Sequence, residues 1–318
     1  MATINLATKY SKKIADKFYV DSVVIGKTSK EYDWDGVNSI KVWTINTYAP
    51  TNYSKPANDN AITGQHQRYG YTYEVADTLQ TMTLAQDKAV SLSVDKGNNT
   101  EQMLIKNAGI VMARELREQF VPMFDMHCLA RWSGQWGTSA TTPSWASLVQ
   151  VHNGGTSAYT KSNIVEKISD GITAIRNKGT DVSDAYCFLG ETYFGKLLLS
   201  SEFLNLDKLG PRNLEKGVMG TVRGLQIVPV PDHYLKKSVS ATSSASAVAN
   251  NSELTEDIHF MIVKKSAILA PTKIKDAKVH SDPVGISGAL LEVRWLYDAF
   301  VLDAKADGIY VDLVKAAS

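Results

Sequence analysis

Cysteine is almost missing from this chain: Cys128 and Cys187 are the only two in 318 residues. That excludes a disulfide framework and a cysteine-built zinc site, and predicts two buried free thiols in a reducing compartment. An excess of one charge is also missing. Lys and Arg number 34 against 33 Asp and Glu, a formal net charge of +1, which disfavours a protein built to neutralise phosphates. No apolar run approaches the ~18 residues of a membrane-crossing helix. The opening MATINLATKYSKKIADKF is polar and mixed in charge, without the apolar centre of a secretory leader. A soluble protein made in a cytosol, with no membrane contact, is the expectation. Motifs of chemistry are scarce too. There is no Gly-x-Ser-x-Gly elbow and no Gly-Lys-Ser/Thr phosphate loop. His66, His127, His152, His233, His259 and His280 are not spaced as a zinc helix. Gly217, Gly220 and Gly224 precede a strand rather than follow one, so they read as turns and not as a dinucleotide loop. No catalytic residue, cofactor or metal ligand is assigned.

What the chain does have is ordinary globular composition, 44% hydrophobic and 21% charged, long enough for two or three units. Its most prominent stretch is 99–133. Leu104, Ala108, Met112, Leu116 and Phe120 recur every four residues, which places them on one face of a helix. Asn99 followed by Gln102 resembles a capping box. At ~1.5 Å per residue the stretch spans roughly 50 Å. Pro122 either kinks this helix or ends it, and a helix this long needs a long partner.

Before it, Leu6, Tyr10, Ile14 and Phe18 have helical spacing. Residues 39–47 form a strand apolar on both faces, sandwiched or paired with another subunit. Residues 48–75 are tyrosine-rich and poor in aliphatics, with Tyr48, Tyr53, Arg68, Tyr69, Tyr71 and Tyr73. Such a stretch cannot build its own core. Between two strand-like flanks it reads as an interface arm, because tyrosine supplies contact area and a hydroxyl at low entropic cost. Two strands follow within 77–97, joined at 86–88. After the long helix, 134–265 reads as an inserted α/β unit. It has a helix over 161–178 with Ile164, Ile168, Ile172 and Ile175 on one face, strands at 185–189, 225–230 and 258–263, and a helix over 191–201. Its polar small-residue stretch 238–252 reads as a surface loop. Residues 272–279, 289–301 and 309–314 return to β character. Pattern alone does not separate helix from strand at 289–301, though its residue types favour strand. These strands, with 90–94, would make the sheet on which the long helix lies.

Several segments in order resemble the major capsid proteins of tailed bacteriophages, which have the Hong Kong 97-type fold. They are Leu6-Ala-Thr-Lys-Tyr-Ser, Tyr32-Asp-Trp-Asp-Gly-Val37, Met82-Thr-Leu-Ala-Gln-Asp87, Val94-Asp-Lys-Gly-Asn-Asn99, the run 217–231, His259-Phe-Met-Ile-Val-Lys-Lys-Ser-Ala267, Arg294-Trp-Leu-Tyr-Asp-Ala-Phe-Val301 and Lys305-Ala-Asp-Gly-Ile-Tyr-Val311. The resemblance implies an α+β fold with an N-terminal arm (1–35) and an extended loop (48–75). It implies a peripheral domain (36–133 and 266–318) with spine helix 99–133, and an inserted axial α/β domain (134–265). It implies a non-enzymatic protein that self-assembles into hexamers and pentamers of an icosahedral shell around double-stranded DNA. The shell would be made in the host bacterial cytoplasm and remain in the virion. Implied partners are further copies of itself, a separate scaffolding protein, a portal protein, and packaged DNA through weak non-specific contact. Lys55, Asn58 and Asn60 lie in the loop, but no motif assigns a Lys–Asn crosslink to them. Rival readings are an encapsulin-like cellular nanocompartment and an enzyme on the α/β insert.

Overall fold

The structure is a computed structural model that describes residues 22–32, 38–50, 52–53, 74–101, 107–137, 144–200, 221–237 and 250–315. The chain divides into two units, Val37–Thr83 and the remainder. Leu104, Arg68, Tyr69, Tyr71, Tyr73, the crosslink candidates Lys55, Asn58 and Asn60, and the helix expected from Leu6 to Phe18 lie outside the described residues.

The smaller unit is a two-stranded antiparallel ribbon, β1 (Ser39–Ile45) with β2 (Asp77–Thr83). Its strands pair without a slip from Ser39 opposite Thr83 to Ile45 opposite Asp77. Residues 48–75 therefore leave and return at one end, where Asn46 N–H donates to Ala76 O at 2.9 Å and Tyr48 Oη to Glu74 O at 3.2 Å.

The larger unit has two principal sheets. β3 (Gln86–Asp95), β10 (Thr272–Ser281) and β11 (Gly288–Tyr297) form an antiparallel sheet in the order β10-β11-β3. Along β11, Leu291, Val293, Trp295 and Tyr297 are buried while Glu292 and Arg294 are exposed. This period of two settles residues 288–297 as strand. Gly288 closes the β10–β11 connection at φ +141°, with any Cβ forced onto Val94 O, so only glycine fits there.

The expected strand pair in 77–97 is real, but its break falls at Leu84-Ala85 and its halves belong to different sheets. The reason is Asp298, whose Oδ2 accepts the Ala85 N–H at 3.0 Å and so holds the chain where it leaves one ladder for the other.

The long helix differs from its expected form. A short helix α1 (Lys96–Glu101) starts straight out of β3, ahead of the expected Asn99 cap. The cap that operates is Asn107, whose side chain accepts Gly109 N–H at 2.9 Å and opens α2 (Ala108–Glu115). Pro122 does not end the helix. A π turn, Leu116–Phe120, precedes it, and α3 (Val121–Trp132) continues with the proline in its first turn. In the wider turn Val121 N–H donates to Leu116 O, five residues back, and Pro122 stands in the first turn of α3, where a missing N–H is tolerated. Burial along the stripe grows toward the C-terminal end: Ala108, Met112 and Leu116 are half-buried, and Phe120 is buried. Phe120 and Phe124 set their rings 5.4 and 6.2 Å from Trp295, so the helix lies on the inner face of β11.

The second sheet has six strands in the order β4-β13-β8-β5-β7-β6. These are β4 (Gln150–Asn153), β5 (Ala185–Gly190), β6 (Thr221–Val222), β7 (Leu225–Val230), β8 (Ile258–Lys264) and β13 (Ile309–Leu313). β13 was expected beside β3, β10 and β11. It lies instead between β4 and β8, because Ile309, Tyr310, Val311 and Leu313 are all buried and need cover on both faces. Helix α4 (Ile164–Asn177) buries Ile164, Ile168, Ile172 and Ile175 against this sheet, each contributing on the order of 1.5–3 kcal/mol. A Cβ on Gly171 would meet Ile262 at 2.9 Å, so glycine lets helix and sheet approach. Helix α5 (Glu191–Leu198) follows β5. Gly224 makes the expected turn before β7, with Arg223 and Gly224 both at positive φ between β6 and β7, while Gly217 and Gly220 lie outside the described residues. A two-stranded pair, β9 (Ile268–Leu269) with β12 (Phe300–Val301), lies between the chain segments of the two sheets, and Trp132 donates to Leu269 O at 3.2 Å.

Candidate assembly surface and buried polar clusters

The ribbon carries the most conspicuous exposed apolar surface. Trp43 stands directly opposite Leu79, with Lys41–Thr81 and Ile45–Asp77 on the same face. Trp43 is 65% and Ile45 69% exposed, and Val75 just beyond the ribbon is 65% exposed. A lone hairpin is marginal in water, and an open Trp–Leu–Ile cluster is the kind of surface found where proteins meet. Tyr48 and Tyr53, of the assembly residues named from sequence, are about half exposed. Sequence reasoning flagged the two-faced strand but not Val75 and Leu79. The signal for Leu79 was the alternation of β2, readable only once its register with β1 is known.

Among the described residues of the α/β insert, a ligand would be sought in the crevice beyond the carboxyl ends of the parallel strands β5 and β7. The N-terminus of α5 opens there, and Asp232 fills it: its carboxylate accepts Thr192 N–H at 3.1 Å and also the Thr192 hydroxyl. The chain thus supplies its own anion to the helix end. Depressions of about 470 and 460 Å³ are open surface grooves, one on the charged face of β10, β11 and β3, the other beside Lys30, Lys264 and Lys265.

Three polar clusters are buried. Asp125 on α3 accepts Ser22 Oγ at 2.6 Å and Val23 N–H at 2.8 Å, tying residues 22–27 to the helix. Burial pushes its pKa up to about 6, against the pull of those bonds and of Lys27. Asp312 on β13 accepts Tyr159 Oη at 2.5 Å, and burial with that bond pushes the phenol pKa up. His259 stacks on Tyr159 with ring centroids 4.3 Å apart; its two nitrogens make no hydrogen bond among the described residues, and Nδ1 lies 3.8 Å from Asp312 Oδ1. His127 on α3 faces two carboxylates, Glu253 at 2.7 Å and Asp298 at 3.1 Å. Burial opposes its charge, but those two bonds outweigh it and hold its pKa above the ordinary value. Both cysteines are buried free thiols, and burial raises their pKa, which makes them poor nucleophiles. Among the described residues no group of three or more His, Cys, Asp or Glu side chains could hold a metal ion.

No protein-family model and no curated protein sequence matches the chain. Solved structures do. A structure from Mycobacterium phage Che8 superposes with a TM-score of 0.66 at 14% identity, covering 98% of each chain. The asymmetric unit of the bacteriophage PhiM1 mature capsid gives a TM-score of 0.66 at 14% identity, covering 98% of this chain and 93% of that one. The capsid of Myoviridae phage XM1 gives 0.61 at 11% identity over 96% of each. The mixed helix-and-sheet fold described above is therefore one found in phage capsid structures.

Proposed function

We propose that this chain is the major capsid protein of a tailed bacteriophage, a subunit that assembles into hexamers and pentamers of an icosahedral shell enclosing double-stranded DNA. One observation carries the reading: the likeness to phage capsid structures runs end to end through both chains. An enzyme borrowing one domain of that fold would match over part of its length. The ribbon's open apolar face supports it, since shell subunits bury much of their surface against copies of themselves.

The finer reading is the Hong Kong 97-type arrangement. Residues 1–35 serve as the arm, 48–75 as the extended loop, 36–133 and 266–318 as the peripheral domain, and 134–265 as the axial domain. Strand β13 adds one strand from the C-terminal stretch to the axial sheet. Tyr48, Tyr53, Arg68, Tyr69, Tyr71 and Tyr73 carry contact area to the neighbouring subunit, and Phe120 anchors the spine helix. Many modest contacts per subunit close into a strong shell through multivalency. The near-neutral charge suits a wall whose contact with DNA is weak and non-specific. A scaffolding protein and a portal complete the assembly in the host bacterial cytoplasm.

Negative-stain microscopy of the purified chain, alone and with a co-expressed scaffold, tests the proposal. Shells are expected from the full chain. A variant lacking residues 52–71 is expected to stay folded by circular dichroism and to form none. A full chain that remains a monomer under every condition overturns the reading.

A further inference from the structure

His127 sits at a junction between the two sheets of the larger unit. Its ring is wholly buried and belongs to α3. Nδ1 meets Glu253 Oε2 at 2.7 Å, on the segment that leads into β8 of the six-stranded sheet. Nε2 meets Asp298 Oδ1 at 3.1 Å, at the corner where β11 of the three-stranded sheet ends. An ionised carboxylate only accepts hydrogen bonds, and a neutral imidazole has one donor and one acceptor. Both contacts can be hydrogen bonds at once only if the ring carries both protons.

The surroundings agree with a bound proton. Arg131, on the same helix, places Nε 3.6 Å from Asp298 Oδ1, so two cations balance two carboxylates in the cluster. Among the described residues, the remaining groups about the ring are the edge-on ring of Tyr297 at 5.5 Å, Trp136 at 6.3 Å, and the buried Cys128 and Asp125 of α3 itself. Removing the imidazolium proton leaves an unbalanced negative charge in a buried place. The two carboxylates then behave differently. Asp298 is 2% exposed and stays engaged, accepting Ala85 and Ala299 N–H as well. The Glu253 side chain is 30% exposed and can turn to water, and Trp136 Nε1 at 3.2 Å is its remaining bond.

We propose that His127 is a proton-dependent clasp: as imidazolium it holds segment 251–255 against α3, and loss of its proton releases Glu253 while Asp298 stays bound. The segment has its own anchors, Thr255 N–H to Gln135 O at 3.0 Å and Asn251 Nδ2 to Met126 O at 2.9 Å. Release therefore loosens one junction between the sheets without unfolding the subunit. The direction follows from the sign of the linkage. A histidine whose proton is held more tightly in the folded state stabilises it fully below its unfolded value near 6.5, and that contribution is lost as pH rises through the higher folded value.

Two measurements on the unassembled full chain test the clasp. In ¹⁵N-histidine spectra at pH 6, His127 is expected to show both nitrogens protonated. Amide exchange at Leu254 and Thr255, corrected for the intrinsic pH dependence of exchange, is expected to rise up to about tenfold per pH unit above the folded pKa, between pH 6 and 9. Glu253→Gln offers a donor and an acceptor to either form of the ring and removes the carboxylate whose contact with Nδ1 depends on the second ring proton. It is expected to flatten that dependence. A neutral His127 at pH 6 overturns the proposal, because it would mean that a carboxylate carries the proton. Corrected exchange that is equal at pH 6 and 9 in the unsubstituted chain, or a Glu253→Gln profile as steep as that of the unsubstituted chain, also overturns it.

Discussion

Asp125 shows what a single side chain does here. Its carboxylate is fully buried, yet both oxygens are bonded, to Ser22 and to Val23. The pKa near 6 lies above its ordinary 3.8. The folded state therefore holds the proton more tightly than the unfolded chain, and this group's contribution to stability falls as pH rises from about 4 to 6. The shift corresponds to about 3 kcal/mol at most. Asn at this position keeps the Val23 bond through its oxygen and can donate to Ser22 Oγ. Asp125→Asn is thus expected to melt higher than the unsubstituted chain at pH 7.5, with the gap closing as pH falls to 4. Thermal melts across that range check it, and a gap that widens toward pH 4 would contradict the assignment. Asp125 and His127 lie two residues apart on α3 but respond to different pH ranges, because one is buried with neutral donors and the other between two carboxylates.

At the scale of an element, the long helix was legible in part. The four-residue repeat from Leu104 to Phe120 gave its direction, and the inner face of β11 is the sheet it was expected to lie on. The repeat did not say where burial is deep. The sheet's aromatic residues, Trp295 and Tyr297, sit against Phe120 and Phe124, so the far end of the stripe is packed and the near end is half open. Phe120→Ala is expected to cost about 3–5 kcal/mol by denaturant unfolding, and Leu116→Ala less than about 2. Equal costs would mean that the stripe is packed uniformly. The π turn was illegible, since a proline announces a missing donor but not the form of the turn before it. Helix α4, by contrast, was readable almost to its ends, because its four isoleucines face a sheet that covers all of them.

For the whole molecule the open question is what covers the ribbon. Trp43 and Ile45 contribute little to a hairpin that leaves them in water, so their replacement tests assembly apart from folding. The double variant Trp43→Ser, Ile45→Ser is expected to match the unsubstituted chain in melting temperature within ~2 °C, since surface changes are worth under about 0.5 kcal/mol. It is expected to yield few or no shells by sedimentation. Normal shells from this variant would move the inter-subunit contact elsewhere.

Sequence by itself determined what depends on neighbours along the chain. Alternation marked β11, a 3.6-residue period marked α4, glycines marked the turn before β7, and the lack of a core-forming set marked 48–75 as a stretch that needs a partner. Tertiary structure alone decided which strands share a sheet and which charges meet. β13 entered the six-stranded sheet rather than the three-stranded one because its buried residues need cover on both faces, a demand no local pattern assigns to a partner. His127 met Glu253 and Asp298, 126 and 171 positions away. Pairing at such range depends on the closure of the whole chain, where the cost of burying a charge is met only by the groups that arrive beside it.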